Sequence, residues 1–156
     1  VRILLVGRDM VETNQELNDL IQQSGHPDRF VLLGERNDVA GCLSAMDIFC
    51  QPSRSEAFPT ALGEAMAVGL PCVATDVGDS ALLIGDAGTL VPREDPVALA
   101  AALERLVNTT AAERHELGAR ARKRIGENFS IDQIRRRYED VYTKTAAGTL
   151  FEDRSR

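Results

Sequence analysis

Between Ala57 and Thr75 the chain carries a single charged side chain, Glu64, and Glu56 precedes it with seven residues between them. The surrounding stretch, from Gln51 to Asp76, reads QPSRSEAFPTALGEAMAVGLPCVATD. Two glutamates at this spacing arise often by chance, so the setting has to supply the information. Glu56 falls in a polar loop, Ser53-Arg54-Ser55-Glu56, and Glu64 falls two turns into an apolar helix predicted over Thr60–Val68. Ala61, Ala67 and Val68 flank Glu64 on the helical wheel, which predicts a carboxylate without a wet face. An uncompensated buried carboxylate costs several kcal/mol, so such a residue needs a partner. Carboxylates accept hydrogen bonds from hydroxyl groups, and the free N–H groups and dipole of a helix N-terminus favour an anion, most simply a phosphate. Together they suit a hydroxyl-rich ligand joined to a phosphate. The structural readings that compete are an exposed loop acid for Glu56 and an acid satisfied by neighbouring backbone N–H groups for Glu64.

The elements that must position these residues follow from the apolar pattern. Residues 1–7 (VRILLVG), 30–34 (FVLLG), 47–52 (DIFCQP), 71–74 and 88–91 read as short buried strands. Helices alternate with them. Thr13 with Glu16 predicts a capping box ahead of Leu17, Leu20 and Ile21, with Gly25 as the stop. Asp38 predicts a cap for a helix carrying Val39, Cys42, Leu43 and Met46. Residues 78–83 read as a loop with a helical turn. Asp95-Pro96 opens a helix with Leu99, Leu103 and Leu106 on one face. Thr110 with Glu113 and Ser130 with Gln133 predict two further capping boxes. The first opens a helix with Leu117, Ala121 and Ile125 inward, the second one with Ile131, Ile134, Tyr138, Val141 and Tyr142 inward. Strand-helix alternation implies parallel βαβ units, an α/β doubly wound, Rossmann-like sheet. Such sheets bind ligands at the carboxyl ends of their strands, which is where the loop 53–59 lies. Residues 1–147 read as one domain and 148–156 as a tail.

The 156 residues suffice for a domain with a sizeable core, and the net charge of −6 disfavours nucleic acid as the main partner. No apolar run approaches the length of a membrane helix. Cys42, Cys50 and Cys72 lack CxxC spacing and read as reduced core residues of a cytosolic protein. His26 and His115 stand alone in polar contexts, and neither makes a metal or nucleophile cluster.

The run PSRSEAFPTALGEAMAVGLPCVATDVGDSALLIGDAGTLVP resembles the signature of family 4 glycosyltransferases of the GT-B fold. The shared pattern is a proline-serine strand end, Glu-x7-Glu, a Glu-Ala-Met-Ala helix and a Gly-x-Pro-x-Val-Ala-Thr strand. LLVGRDM, RFVLLGERNDV and AMDIFCQPS resemble the segments that precede it, so the likeness spans roughly residues 1–106. The resemblance implies the nucleotide-sugar half of such an enzyme, transferring a sugar from a nucleotide diphosphate sugar to a hydroxyl acceptor such as a glycan, lipid or cell-envelope precursor. It implies retention at the anomeric carbon, no catalytic metal and no cofactor beyond the sugar nucleotide. By that resemblance Glu56 accepts hydrogen bonds from the donor sugar, and Ala57, Phe58, Pro59 and Thr60 lie against sugar and diphosphate. Proline has no N–H, so the expected donors there are Ala57, Phe58 and Thr60. Glu64 holds the ribose, and Leu33, Gly34 and Arg36 line the base pocket. Asp76, Gly78 and Asp79 sit on a substrate loop.

Three departures stand out. Ala57 replaces the usual glycine, and Thr60 stands where asparagine or another residue is common. The expected N-terminal acceptor domain is not in the chain, nor is a first strand and loop that brings an arginine and a lysine to the diphosphate; Arg8 does not match that position. The expected location is cytoplasmic, with peripheral contact at the inner face of the membrane. Two other readings stay open: a non-enzymatic nucleotide-binding or regulatory module, and a nucleotide-sugar epimerase of the same fold.

Overall fold

A computed structural model describes residues 1–147, so the expected tail lies outside the described residues. The chain divides into two compact units, Val1–Asp47 and a second one from Ile48 onward.

In the first unit, β1 (Ile3–Val6) pairs in parallel with β2 (Phe30–Gly34), from Ile3 opposite Phe30 to Val6 opposite Gly34. Helix α1 (Gln15–Gln23) connects them, followed by a 3-10 turn at Pro27–Arg29. The cap of α1 is Asn14, not Thr13: its side-chain oxygen accepts from Leu17 N–H at 3.2 Å. The amide nitrogen of Asn14 also reaches the Asp9 carbonyl at 3.0 Å, a second bond that a threonine hydroxyl at the cap would not supply. Of the expected apolar stripe, Ile21 is buried while Leu20 is exposed. Asp38 precedes α2 (Val39–Ser44) without capping it, because Arg36 donates to both of its carboxylate oxygens at 2.8 Å. A bidentate charged bond outcompetes a neutral N–H for the same oxygens.

In the second unit, β3 (Phe49–Gln51), β4 (Cys72–Thr75) and β5 (Thr89–Val91) form a parallel sheet in that order. All four residues of the central β4 are buried, as its continuous run Cys-Val-Ala-Thr requires. Val73 and Val91 pack with Ala102 and Leu106 of α5 (Pro96–Asn108). Asp95 caps that helix, accepting from Ala98 N–H at 2.9 Å. Helix α3 (Thr60–Val68) buries Leu62, Ala65 and Met66. It ends at Gly69, whose left-handed φ of +95° fits glycine. Short α4 (Ser80–Ile84) follows β4.

Helix α6 (Ala111–Asn128) opens with the complete Thr110–Glu113 capping box. It crosses the end of α3 so closely that a Cβ on Gly118 would collide with the Gly69 carbonyl oxygen. Its Arg124 donates to the Leu83 and Leu82 carbonyls at 2.8 and 2.7 Å, satisfying the end of α4. Helix α7 (Ile131–Ala146) forms as expected, but its apolar face does not turn inward. None of its residues is buried, and Ile131, Tyr138, Val141 and Tyr142 are all exposed. Periodicity marks an apolar face but does not say what covers it. All three cysteines are free, and burial pushes the Cys72 thiol up to about 12.

Candidate functional site

The site grows from the carboxyl ends of β3, β4 and β5. After Gln51 the chain leaves β3 through Pro52 and runs as a loop to Pro59, where α3 begins. Buried Thr75 at the end of β4 pins this loop, donating its hydroxyl to the Ser53 carbonyl at 2.6 Å. Glu56 is half-buried and oriented: its Oε1 accepts from Gln51 Nε2 at 2.8 Å and from the Ser53 hydroxyl at 2.7 Å. Two donors on one oxygen fix the carboxylate and leave Oε2 without a partner among the described residues. Gln51 Oε1 is itself buried with no hydrogen-bond partner among the described residues.

The loop after β4 lies against this segment. Asp79 N–H donates to the Ala57 carbonyl at 3.0 Å, and Asp76 N–H donates to the Val91 carbonyl at 2.8 Å. Gly78 has φ +52°, and a Cβ there would stand 2.6 Å from the Ala57 carbonyl oxygen. Glu56, Asp76 and Gly78, singled out separately in the sequence, therefore share one open pocket of about 260 Å³ with Arg54, Ser55, Val77 and Arg93. Asp79 contributes its backbone to the packing and does not line the pocket.

Among the described residues the N-terminus of α3 has no side-chain cap, which leaves its dipole and the N–H groups of Ala61 and Leu62 open. Ala57, Phe58 and Thr60 are exposed, whereas Pro59 is fully buried. The expected role of Thr60 N–H as a ligand donor needs correction, because it turns back to the Phe58 carbonyl at 3.0 Å. The N–H groups of Ala57 and Phe58 remain. Val77 is likewise buried, and the Phe58 ring lies 6.4 Å from that of Phe129.

Glu64 also differs from expectation. It is exposed on α3, and its carboxylate makes no hydrogen bond or ion pair among the described residues. Ala61 and Ala67 on the same side are exposed too, so the small residues that predicted burial instead form an open face. Neither internal satisfaction by backbone N–H groups nor burial accounts for this acid.

Leu33, Gly34 and Arg36 belong to the first unit. Leu33 is partly exposed at the end of β2, Gly34 is buried with φ +63°, and Arg36 is committed to Asp38 through two of its donors. Sequence reasoning assigned no role to Arg54 or Arg93. The strand-end rule applied to β5 marks Arg93, which follows Val91 and Pro92.

The profile of Glycosyl transferases group 1 matches residues 1–109. The chain belongs to this family. It is 35% identical over 117 residues to the N-acetyl-alpha-D-glucosaminyl L-malate synthase of Bacillus anthracis, covering 74% of this chain and 30% of that protein. It is 35% identical over 150 residues to a phosphatidyl-myo-inositol mannosyltransferase of Mycobacterium leprae, covering 92% of this chain and 39% of that protein. The sucrose-phosphate synthase of Thermosynechococcus elongatus superposes with a TM-score of 0.80 at 29% identity, over 94% of this chain and 39% of that one. Anabaena HepE in complex with UDP superposes with a TM-score of 0.82 over 92% of this chain and 41% of that one, at 23% identity, a likeness of fold. The α/β expectation with parallel strands and the family resemblance are thereby borne out. The chain spans between 30% and 39% of the length of these two enzymes from Bacillus and Mycobacterium. Among the described residues, no helix is long and apolar enough to cross a membrane.

Proposed function

We propose that this chain is the donor-binding part of a retaining glycosyltransferase that takes its sugar from a nucleoside diphosphate sugar. The observation that carries the reading is the N-terminus of α3, uncapped among the described residues, with Glu56 held on the loop before it and the Glu64 carboxylate exposed on the helix itself without a partner among those residues. The helix terminus and the N–H groups of Ala57 and Phe58 receive the diphosphate. As the bond to the sugar breaks, negative charge gathers on that diphosphate, and fixed dipoles stabilise it without reorganising. Glu56 offers Oε2 to the sugar hydroxyls, and Glu64 accepts from the two ribose hydroxyls. The contact of Leu33, Gly34 and Arg36 with the base rests on the resemblance alone.

UDP in the HepE complex, and the sugar acceptors in the relatives' names, support this class of chemistry. The acceptor in this reading is a hydroxyl on a small polyol, a glycan or a lipid headgroup. Transfer requires donor and acceptor held in line and sheltered from water, so we propose that the isolated chain binds donor but transfers nothing. Titration of the chain with UDP-glucose and GDP-mannose, followed by product analysis with polyol acceptors, tests both parts. Saturable binding of one donor without product is the expected result. Absence of binding by either donor contradicts the donor role, and turnover contradicts the inactivity.

A further inference from the structure

We infer that Arg54 and Arg93 make the pocket beyond Glu56 a subsite for the anionic end of the acceptor, an inference that rests on the donor reading above. The pocket of about 260 Å³ is lined by Arg54, Ser55, Glu56, Asp76, Val77, Gly78 and Arg93, and by none of residues 57–60. The segment that opens α3 and receives the donor phosphates therefore lies outside it, with Glu56 as the shared wall. The volume is small for a nucleotide sugar and suits one polyol with one anionic group.

The charges in the pocket select the ligand. Arg54 comes from the loop after β3 and Arg93 from the loop after β5, on either side of Asp76 and Gly78. Arg93 is exposed and has no ion pair among the described residues. Arg54 approaches Glu94 at 3.9 Å, with both side chains mostly in water, too loose a pair to consume its charge. Glu56 Oε2 and the Asp76 carboxylate also lack partners among the described residues. A neutral polyol would satisfy the two acids and leave both guanidinium groups idle. A bare anion would meet the arginines and be opposed by the acids. A hydroxylated phosphate or carboxylate answers both, donating to Glu56 and Asp76 and accepting bidentate bonds from arginine.

The test titrates the 156-residue chain with sn-glycerol 3-phosphate in the presence of saturating UDP, with glycerol as the uncharged control, followed by NMR. The expected result is saturable millimolar binding of sn-glycerol 3-phosphate and none of glycerol. Arg54→Gln and Arg93→Gln each weaken that binding about tenfold, with UDP affinity and melting temperature unchanged. No saturable binding, wild-type affinity in both variants, or competition between sn-glycerol 3-phosphate and UDP overturns the subsite. The last outcome would put the anion in the donor's phosphate site. Absence of UDP binding fails the donor reading on its own count, while an arginine-dependent phosphate response would still uphold the pocket.

Discussion

Gly78 leaves no room for a side chain against the main-chain carbonyl of Glu56: a Cβ at that position would collide with it and would crowd the Ala57 carbonyl at 2.6 Å. The close approach of these two loops places Asp76 beside Glu56. The backbone at Gly78, with φ +52°, adds a second demand that glycine meets without strain.

Gly78→Ala therefore forces the two loops apart. It should lower stability by roughly 2 kcal/mol or more, combining backbone strain with a steric clash against main chain. Binding of a nucleoside diphosphate sugar should weaken at temperatures where the variant is still folded. A thermal melt with a parallel titration reads both, and a variant with native stability and affinity would show that the contact does not shape the site.

Glu56→Gln separates sugar recognition from phosphate recognition. Gln51 and Ser53 still find an acceptor oxygen on the new side chain, so the loop keeps its shape. The outward group becomes an N–H donor where the sugar hydroxyls need an acceptor. Affinity for the nucleoside diphosphate sugar should fall about tenfold, while affinity for the free nucleoside diphosphate stays the same. Equal losses for both ligands would move Glu56 away from the sugar.

Gly118→Ala probes the frame behind the site. The added methyl group meets the Gly69 carbonyl, so α6 cannot keep its seat on the end of α3. The expected cost is about 2 kcal/mol or more, read as a lower melting temperature. A variant that melts like the wild type would mean the helices part without consequence.

Acid sensitivity should appear at the start of α6. Glu113 accepts from Thr110 N–H at 2.7 Å and from the Thr110 hydroxyl at 2.8 Å. The backbone bond first, and the hydroxyl bond second, hold its carboxyl below the ordinary value of 4.5. The unfolded chain therefore binds the proton more readily. The contribution is present above the ordinary carboxylate range and is lost as pH falls through the lower folded value. Glu113→Gln should lower the melting temperature at neutral pH, and the gap to wild type should close in acid. A gap that stays constant with pH would contradict this origin.

Strands and most helices were legible in the sequence because short branched runs and capping residues are local signals. β2 and α3 appear at their expected bounds. Two of the misreadings concern which partner wins. Asn14 outcompetes Thr13 because it satisfies two groups at once, and Asp38 turns to Arg36 instead of its helix. Glu64 was read as enclosed because alanines flank it, yet small residues line an open face as readily as a tight one. Arg93 escaped notice because its proximity to Glu56 and Asp76 exists only once β5 lies beside β4.

The central claim, that α3 and its preceding loop hold a nucleoside diphosphate, is tested most directly at Glu64. Its carboxylate is exposed and has no partner among the described residues, so the fold does not depend on it. Charge-assisted bonds to two ribose hydroxyls are worth roughly 1.5–3 kcal/mol. Calorimetric titration of the wild type and Glu64→Gln with UDP and with GDP, beside a thermal melt of each, gives the answer. The account predicts that the nucleotide which binds the wild type binds the variant about tenfold or more weakly, at an unchanged melting temperature. Equal affinity in the two proteins would contradict it.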